Sequence, residues 1–539
     1  MMKDKIEKSE MIGIFNDPQP IPRKVPDYMR KKGGAWYWTG AMIMVTFMYE
    51  ALTGLVILFY YQPAAAYDST MNFVNSVPFG SLILTTHLYG AYAMIIFIYI
   101  HLLRNLFVGA YKKPRKNQWF TGVLLLLLTL GVGFFGYSMS GDVLSADATD
   151  VGRGIAAAVP YIGDYLKRMF FGNGTPLSLF HWMLGWHIVI AAGIGLLFAL
   201  HFFMSERNTI MPKRSESNYT APLVDQEKPD YKPWFPYNLL YMGEISLLVF
   251  AVILIIPSLL AVIPNVPALL DPFPQVAPSS PLASMVPSYP PWFLLFVYKA
   301  MDFDMIVDIG PFWGTVIFAG LPLIYLFLVP YLDTSKSLKI VDRPITLSFG
   351  IMGVIYMIGL SIWGALTPGV SIPDWQVLLF FFGIGIIVLG LVHLLVKFIK
   401  EDKIRIYQPE KLFVILALLG FSAFGTGTLI VSSIVGGYNL YQVPEILLAM
   451  ITALLAVAAL WQIYFASPDR KPSSAPLSAK VYISIAALLT AAAIAILFII
   501  SGLNPTSPSN NAGYGFGLGL IFLVGGVLMK IYRAAEYGE

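Results

Sequence analysis

Long runs of apolar residues recur along the whole chain and restrict its fold more than any other feature. A helix needs about 20 apolar residues to cross a bilayer. Of the 539 residues, 57% are hydrophobic and only 12% are charged. We therefore expect an all-α polytopic membrane protein. The runs predict about twelve transmembrane helices: 36–61, 79–108, 118–139, 179–204, 238–264, 312–332, 344–366, 374–399, 411–435, 443–466, 478–501 and 513–533.

The distribution of Lys and Arg orients these helices. Cationic residues concentrate before the first run and in alternate loops, such as 112–116 and 336–343. The opposite loops 62–78, 367–373 and 502–512 carry none. Because positive loops face the cytoplasm, we expect a multi-pass plasma-membrane protein with both termini cytoplasmic. We see no cleavable signal peptide. The net charge of +4 follows from this topology and gives no reason to expect a nucleic-acid partner.

Four histidines lie inside these runs as two pairs with one spacing. His87 and His101 are fourteen residues apart in the second predicted helix, and His187 and His201 repeat that distance in the fourth. Fourteen residues is just under four turns, so both rings of a pair leave one face, about 21 Å apart along the axis. Both helices descend from outside to inside, so each depth offers one histidine from each helix. This arrangement suits two bis-histidine haems.

Two other interpretations of these histidines are satisfied core side chains and a proton relay. Buried ionisable groups are costly in membranes and usually functional, and the repeated spacing favours metal ligation. His181 shares the fourth helix but lies roughly 200° around it from His201, which makes His187 the better ligand. His393 is alone in its helix and has no predicted role.

Glycines repeat the same spacing in the first and third predicted helices. Gly40 and Gly54 are fourteen residues apart, and so are Gly122 and Gly136. The topology places Gly54 and Gly136 at the outer histidine depth, and the other two at the inner depth. A missing side chain lets a macrocycle edge approach a helix. We therefore predict an N-terminal four-helix bundle that encloses two stacked haems. The chain has no cysteine, which excludes thioether-linked haem and an iron–sulfur cluster held by this chain.

These residues resemble cytochrome b of the quinol-oxidising complexes that partner a Rieske iron–sulfur protein. The resemblance covers roughly residues 30–370. Besides the histidines and glycines, it is carried by 50–54 (Glu-Ala-Leu-Thr-Gly), 109–114 (Gly-Ala-Tyr-Lys-Lys-Pro), 159–163 (Val-Pro-Tyr-Ile-Gly), 290–293 (Pro-Pro-Trp-Phe) and 342–344 (Asp-Arg-Pro).

The resemblance implies roles for particular residues. His87 and His187 would bind the outer, low-potential haem as metal ligands, and His101 and His201 the inner, high-potential haem. Arg104 would lie near the inner haem propionates, although a positive-inside anchor is an equal alternative for it. Implied partners are the Rieske iron–sulfur protein, quinol and quinone, and membrane lipid.

The outer side departs from the family pattern. The family motif Pro-Glu-Trp-Tyr reads Pro290-Pro-Trp292-Phe here, so the usual proton-accepting Glu is missing. Trp292 is retained. Candidate substitutes for the Glu are Tyr298, Asp302, Asp304 and Asp308 downstream, and Asp142 or Asp147 in the first outer loop. The alternative for each of them is a solvated outer carboxylate or a packing tyrosine. Glu50 stands where the family usually has Gln; it could hydrogen-bond the outer haem or relay a proton, or it could be a protonated carboxyl bonded to a neighbouring helix.

These expectations divide the chain into four parts. Residues 1–35 form a cytoplasmic segment, 36–210 the dihaem bundle, and 235–400 a second cytochrome b domain with an outer quinol-site loop. Residues 410–539 add further transmembrane helices. Such extensions resemble the cytochrome b proteins of thermoacidophilic archaea, some of which serve with haem–copper terminal oxidase subunits. Some of those relatives carry a-type haem, and bis-histidine ligation fits both a-type and b-type haem.

Three functions stay open at this point. The first is a dihaem redox subunit of a respiratory quinol oxidoreductase, active together with partner subunits. The second is a haem-bearing structural or electron-relay subunit of a haem–copper terminal oxidase assembly without a competent outer site, motivated by the altered 290–293 motif. The third is a non-haem proton or solute transporter with histidine relays.

Overall fold

The computed structural model describes residues 24–30, 34–208, 231–264, 266–401 and 479–537. The described part of the chain is all-α except for one two-stranded sheet, in which β1 (Val25–Pro26) pairs antiparallel with β2 (Tyr231–Lys232). Ten of its helices are long and apolar enough to cross a membrane. The predicted helices 411–435 and 443–466 lie outside the described residues.

The helices are numbered in chain order. The first half contains α1 (Thr39–Leu58), α2 (Ala66–Ser76), α3 (Gly80–Val108), α4 (Lys116–Ser138), α5 (Val143–Ala157), α6 (Gly163–Phe171) and α7 (Pro176–Arg207). The second half contains α8 (Leu239–Leu260), α9 (Leu295–Met301), α10 (Asp304–Ile309), α11 (Pro311–Leu332), α12 (Pro344–Leu366), α13 (Asp374–Lys400), α14 (Ala479–Ser501) and α15 (Pro508–Tyr537).

Local sequence signals set the ends of the two histidine-bearing helices. α3 ends at Gly109, whose φ of 75° is the left-handed conformation that favours glycine as a helix terminator. α7 begins with Thr175, whose hydroxyl accepts a hydrogen bond from Ser178 N, and Pro176 occupies its first turn. α1 packs along α3, α4 packs along α7, and α3 also contacts α4. The two histidine helices therefore each have a glycine-bearing neighbour.

A buried polar network joins the α3–α4 loop to the segment after α11. The fully buried Tyr111 hydroxyl donates to Asp333, and Lys112 Nζ lies 3.2 Å from the same carboxylate. Arg343 Nη1 donates to the Tyr111 hydroxyl at 2.8 Å and to Leu106 O at 3.3 Å. Two of the motifs that carry the family resemblance, 109–114 and 342–344, thus meet in one network.

Direct hydrogen bonds tie the two long loops on the opposite side to each other. Asp142 caps α5 and also accepts from the backbone of Gln275 at 2.7 Å. Val143 N donates to Val276 O at 3.0 Å. The loop between α4 and α7 and the loop after α8 are therefore joined by hydrogen bonds at these two points.

The last helix packs into the protein core. α15 runs along α8, where Gly515 and Gly519 allow close approach to Ser258 and Ile255. Near its end, Arg533 Nη1 contacts Glu244 Oε2 at 2.5 Å, with both side chains buried. α14, by contrast, contacts α15 and leaves most of its side chains exposed.

Candidate functional site

The inner histidine pair faces across the gap between α3 and α7. The ring centroids of His101 and His201 lie 6.4 Å apart, and their planes are inclined by 69°. Two imidazoles that bind one metal ion from opposite sides, each with a metal–nitrogen bond of about 2.0 Å, place their centroids about 6 Å apart. The two rings therefore have the separation that one metal ion bound between them would require.

The outer pair lies one repeat earlier in the same two helices. His87 and His187 are fourteen residues before the inner rings, and His187 interacts electrostatically with His87. The structure therefore places the four predicted ligands in two layers along one gap. Among the described residues, no three His, Cys, Asp or Glu side chains gather to hold a metal.

The Nδ1 atom of each imidazole is held by a neighbouring helix. Thr39 Oγ1 lies 2.9 Å from His101 Nδ1, and Thr53 Oγ1 lies at the same distance from His87 Nδ1. Thr121 Oγ1 is 2.9 Å from His201 Nδ1. His187 uses a backbone acceptor instead, Val132 O at 3.0 Å. Such outer contacts orient a metal-binding histidine and set its tautomer.

For three of the four histidines, these contacts show which ring nitrogen carries the hydrogen. Val132 O can only accept, so Nδ1 of His187 donates. The Thr53 hydroxyl already donates to Tyr49 O at 2.8 Å, and the Thr121 hydroxyl to Gln118 O at 2.9 Å. Both oxygens therefore accept from Nδ1–H of their histidines. Nε2 is left as the unprotonated nitrogen, the form that coordinates a metal.

The three threonines were not recognised in the sequence, although a signal was present. Each directly precedes one of the spaced glycines, as Thr39-Gly40, Thr53-Gly54 and Thr121-Gly122. Phe135 takes this place before Gly136, and there the acceptor is the Val132 carbonyl. The repeated unit is thus the dipeptide Thr-Gly rather than glycine alone.

Each spaced glycine touches the ring of a histidine at its own depth. A Cβ at Gly40 would lie 3.5 Å from His101 Cε1, and one at Gly122 would lie 3.2 Å from His201 Cε1. In the outer layer the distances are 3.3 Å from Gly54 to His87 and 2.8 Å from Gly136 to His187. Among the atoms of the protein, each of these glycines therefore leaves room for the imidazole ring at its own depth.

A cavity of about 300 Å³ opens beside the inner pair. His101, His201, Gly40, Gly122 and Arg104 are among its lining residues. Arg104 is 9% exposed, and among the described residues its Nε has no hydrogen-bond partner. Its guanidinium lies 4.8 Å over the Tyr37 ring. A buried cation with a spare donor in an apolar cavity suits an anionic group such as a carboxylate.

Glu50 lies beside the outer pair. Its Oε2 is 3.0 Å from His87 Nδ1, the nitrogen that also contacts Thr53. The structure thus joins the predicted residue Glu50 directly to a predicted ligand.

Most of the residues predicted to take part in quinol chemistry on the outer side lie within the 290–293 segment or shortly after it. Trp292 packs edge-on against Tyr92 with centroids 5.7 Å apart. Phe293 is 4% exposed and touches Gly133 of α4. The Tyr298 hydroxyl donates to Ala148 O at 2.8 Å, which connects α9 with α5.

Asp302 is paired with a buried lysine that the sequence had not marked. Lys299 is 1% exposed and donates to Asp302 Oδ2 at 3.1 Å, and to the carbonyls of Thr367 and Val370 at 2.8 Å each. Burial raises the pKa of the Asp302 carboxyl, opposed by the hydrogen bond from Lys299. Burial also lowers the pKa of the Lys299 ammonium.

The remaining two histidines are outside the paired layers. His181 and His393 are exposed, and Nδ1 of each contacts the carbonyl four residues earlier in its own helix, Leu177 O and Leu389 O, both at 2.8 Å. His181 therefore does not face the gap.

Known proteins are similar to this chain in sequence and in fold. The family model "Cytochrome b(N-terminal)/b6/petB" matches residues 92–278. Cytochrome b of Sulfolobus acidocaldarius is 37% identical over 97% of this chain and 96% of its own length. Cytochrome b6 of Heliobacterium modesticaldum is 37% identical over 31% of this chain and 81% of its own.

A chain of a solved structure named "Hyperthermophilic respiratory Complex III" shares the fold. It has a TM-score of 0.51 and 24% identity, and the match covers 73% of this chain and 97% of that one. The Sulfolobus relative aligns through nearly the whole chain, including its C-terminal helices, since only 3% of the chain lies outside the match. With its histidines in two matched layers, the chain belongs to the cytochrome b family, as the resemblance predicted.

Proposed function

We propose that this chain is the dihaem cytochrome b subunit of a respiratory quinol-oxidising complex. The observation that carries the proposal is the inner pair: two rings 6.4 Å apart, each with its Nδ1 held by a threonine of a neighbouring helix. His87 with His187, and His101 with His201, would each hold one haem of b or a type. A bound haem supplies a one-electron carrier at each depth.

The chain's own residues prepare these two places. Thr53, Thr121 and the Val132 carbonyl fix the tautomers of their rings, Thr39 contacts Nδ1 of the fourth ring, and the glycines leave space for the rings. Arg104 would neutralise the propionates of the inner haem, which is consistent with its burial and its spare donor. Much of the cavity lining is apolar, and charge compensation by a buried arginine is stronger in such surroundings than at a surface.

On the outer side, quinol would be oxidised near the 290–293 segment, with one electron passed to a Rieske iron–sulfur protein and one to the outer haem. Trp292 would form part of the wall of that site. Asp302 and Tyr298 are the candidates to accept or pass its protons in place of the missing Glu, and the raised pKa of Asp302 favours proton uptake. The second electron would reach quinone at the inner side. The chain would lie in the plasma membrane with both termini cytoplasmic.

A second candidate is a haem-bearing relay or structural subunit of a haem–copper terminal oxidase assembly. The observation that favours it is Phe293, which is buried against Gly133 where the family motif has Tyr. A non-haem transporter has no such support, because its relatives here are cytochromes b.

Quinol-dependent haem reduction separates these functions. In membranes that contain the partner subunits, the first function predicts that quinol reduces the haems. An inhibitor of the outer site should slow this reduction, and removal of the Rieske protein should abolish the reduction that occurs through the outer site. Reduction that is unaffected by either treatment favours the second candidate. Protein that contains no haem rejects both.

A further inference from the structure

The four imidazoles differ in what faces their Nδ1 atoms. Among the described residues, the oxygens hydrogen-bonded to His101, His201 and His187 are neutral, from Thr39, Thr121 and Val132. His87 has a neutral oxygen too, from Thr53 at 2.9 Å, but also a carboxyl oxygen of Glu50 at 3.0 Å. One ring of the outer layer is therefore distinguished by an acid group.

The fold provides a fitted place for that carboxyl. A Cβ at position 90 would overlap Glu50 Oε1, so Gly90 of α3 forms a notch that receives the side chain of α1. Gly90 is one turn beyond His87 on the same helix, so the Glu50 carboxyl in this notch lies on the Nδ1 side of the His87 ring. Among the described residues, Oε1 has no hydrogen-bond partner and is buried. The contact with His87 is thus the main polar interaction of a group that is costly to bury.

A stronger acceptor at Nδ1–H makes an imidazole a better electron donor through Nε2. A better donor stabilises the more positive metal, so the oxidised form of the bound haem is favoured. The neutral acceptors of the other three rings have a weaker effect, because hydrogen bonds to carboxylate groups are stronger than those between neutral groups.

We propose that Glu50 is a positioning residue that lowers the reduction potential of the outer haem relative to the inner one, through its 3.0 Å contact with Nδ1–H of His87 beside Thr53, in the notch left by Gly90. This inference rests on the proposed haem ligation by His87. With haems bound, this lower potential in the outer layer would favour electron transfer toward the inner layer.

The test is a redox titration of the purified full-length haem protein, followed by optical spectra, with wild type compared with Glu50→Gln. Gln keeps the shape of the side chain and offers only a neutral acceptor. At the wild-type midpoint of the outer haem, we expect the ratio of reduced to oxidised outer haem to rise about tenfold, a shift of about 59 mV for one electron. The inner haem is the internal control, and its ratio should change less than twofold.

Thr53→Val is the matched control variant, because it removes the neutral acceptor of the same ring and leaves Glu50. Its shift should be clearly smaller than that of Glu50→Gln. An outer-haem ratio within twofold of wild type in Glu50→Gln overturns the inference. So does selective loss of the outer haem from that variant, because Glu50 would then be needed for haem binding and not for its potential.

A second measurement needs no variant and applies if Glu50→Gln does not fold. In the wild-type protein, near-infrared magnetic circular dichroism reports the porphyrin-to-iron charge-transfer band of each oxidised haem, whose energy rises with ligand donor strength. At a potential between the two midpoints, only the outer, low-potential haem is oxidised, so its band is observed alone. We expect that band at higher energy than the inner one, and coincident bands overturn the inference. A wild-type protein without haem would instead reject the proposed function.

Discussion

The hydroxyl of Thr121 lies 2.9 Å from Nδ1 of His201, and the next residue, Gly122, borders the same ring. One dipeptide thus orients the ring and leaves the space for it. The same arrangement occurs at Thr39-Gly40 and Thr53-Gly54. The haem proposal depends on these small contacts as much as on the histidines, and they can be tested separately.

Replacing Thr121 by Val removes the acceptor for His201 while keeping the side-chain shape. Loss of such an outer contact typically costs about 10–100-fold in metal affinity, so we expect weakened binding of the inner haem and retained outer haem. Haem content after gel filtration at decreasing protein concentration measures this. Thr46→Val is the control, since that hydroxyl donates to carbonyls of its own helix; equal haem loss in both variants would contradict the prediction.

Gly136→Ala tests the space beside His187. The new Cβ would lie 2.8 Å from His187 Cε1, so the ring must move and the outer haem should be lost or shifted in its spectrum. Gly131→Ala in the same helix is the matched control, because nothing lies within 4 Å of its Cβ position. There we expect full haem content and unchanged or slightly raised stability, by up to about 1 kcal/mol. Wild-type spectra from both variants would show that ring clearance is unimportant.

Asp333→Asn should destabilise the protein without touching the histidine layers. The carboxylate compensates Lys112 at 3.2 Å and Arg343 at 3.7 Å inside a buried network. Removing one partner of a buried ion pair costs about 3–5 kcal/mol, so the melting temperature in detergent should fall. Asp308→Asn on the exposed face of α10 is the control and should melt like wild type. A melting temperature unchanged by Asp333→Asn would contradict the role given to the network.

Arg533→Met tests whether the last helix is integral to the fold. This substitution removes the Arg533 guanidinium, which contacts Glu244 Oε2 at 2.5 Å. Because the Glu244 carboxyl then stays buried without this partner, we expect a fall in thermal stability. The double variant with Glu244→Met should recover much of the loss, since replacing both members of a buried pair by apolar residues is often neutral or stabilising. A double-mutant cycle on melting temperature measures the coupling; additive losses would mean that the two residues act independently.

Much of the site could be predicted because helical periodicity reports face and depth along one helix. The fourteen-residue spacing was enough to pair His87 with His187 and His101 with His201, and to assign the glycines to two depths. Periodicity contains no information on which side chain lies across an interface. The contacts of Thr53 and Glu50 with His87 depend on how α1 is rotated against α3, and the pair Arg533–Glu244 joins helices far apart in the chain.

The outer side shows the same limit. Trp292 was chosen because it is retained in the 290–293 motif, and Tyr298 and Asp302 because they follow that motif closely in the sequence. The contacts that the structure gives these three side chains cannot be deduced from their positions in the sequence. The partner of Asp302, Lys299, is held by carbonyls of Thr367 and Val370. Those carbonyls come from a loop nearly seventy residues later, so no local pattern could have identified the buried lysine.

The central claim is that two haems are held by four histidines, and haem stoichiometry tests it most directly. Pyridine haemochrome analysis of the purified full-length protein should give two haems per chain, and His101→Ala should lose the inner one. His181→Ala, an exposed histidine of the same helix as two of the ligands, should keep both. A colourless wild-type protein, or His101→Ala with full haem content, would contradict the account.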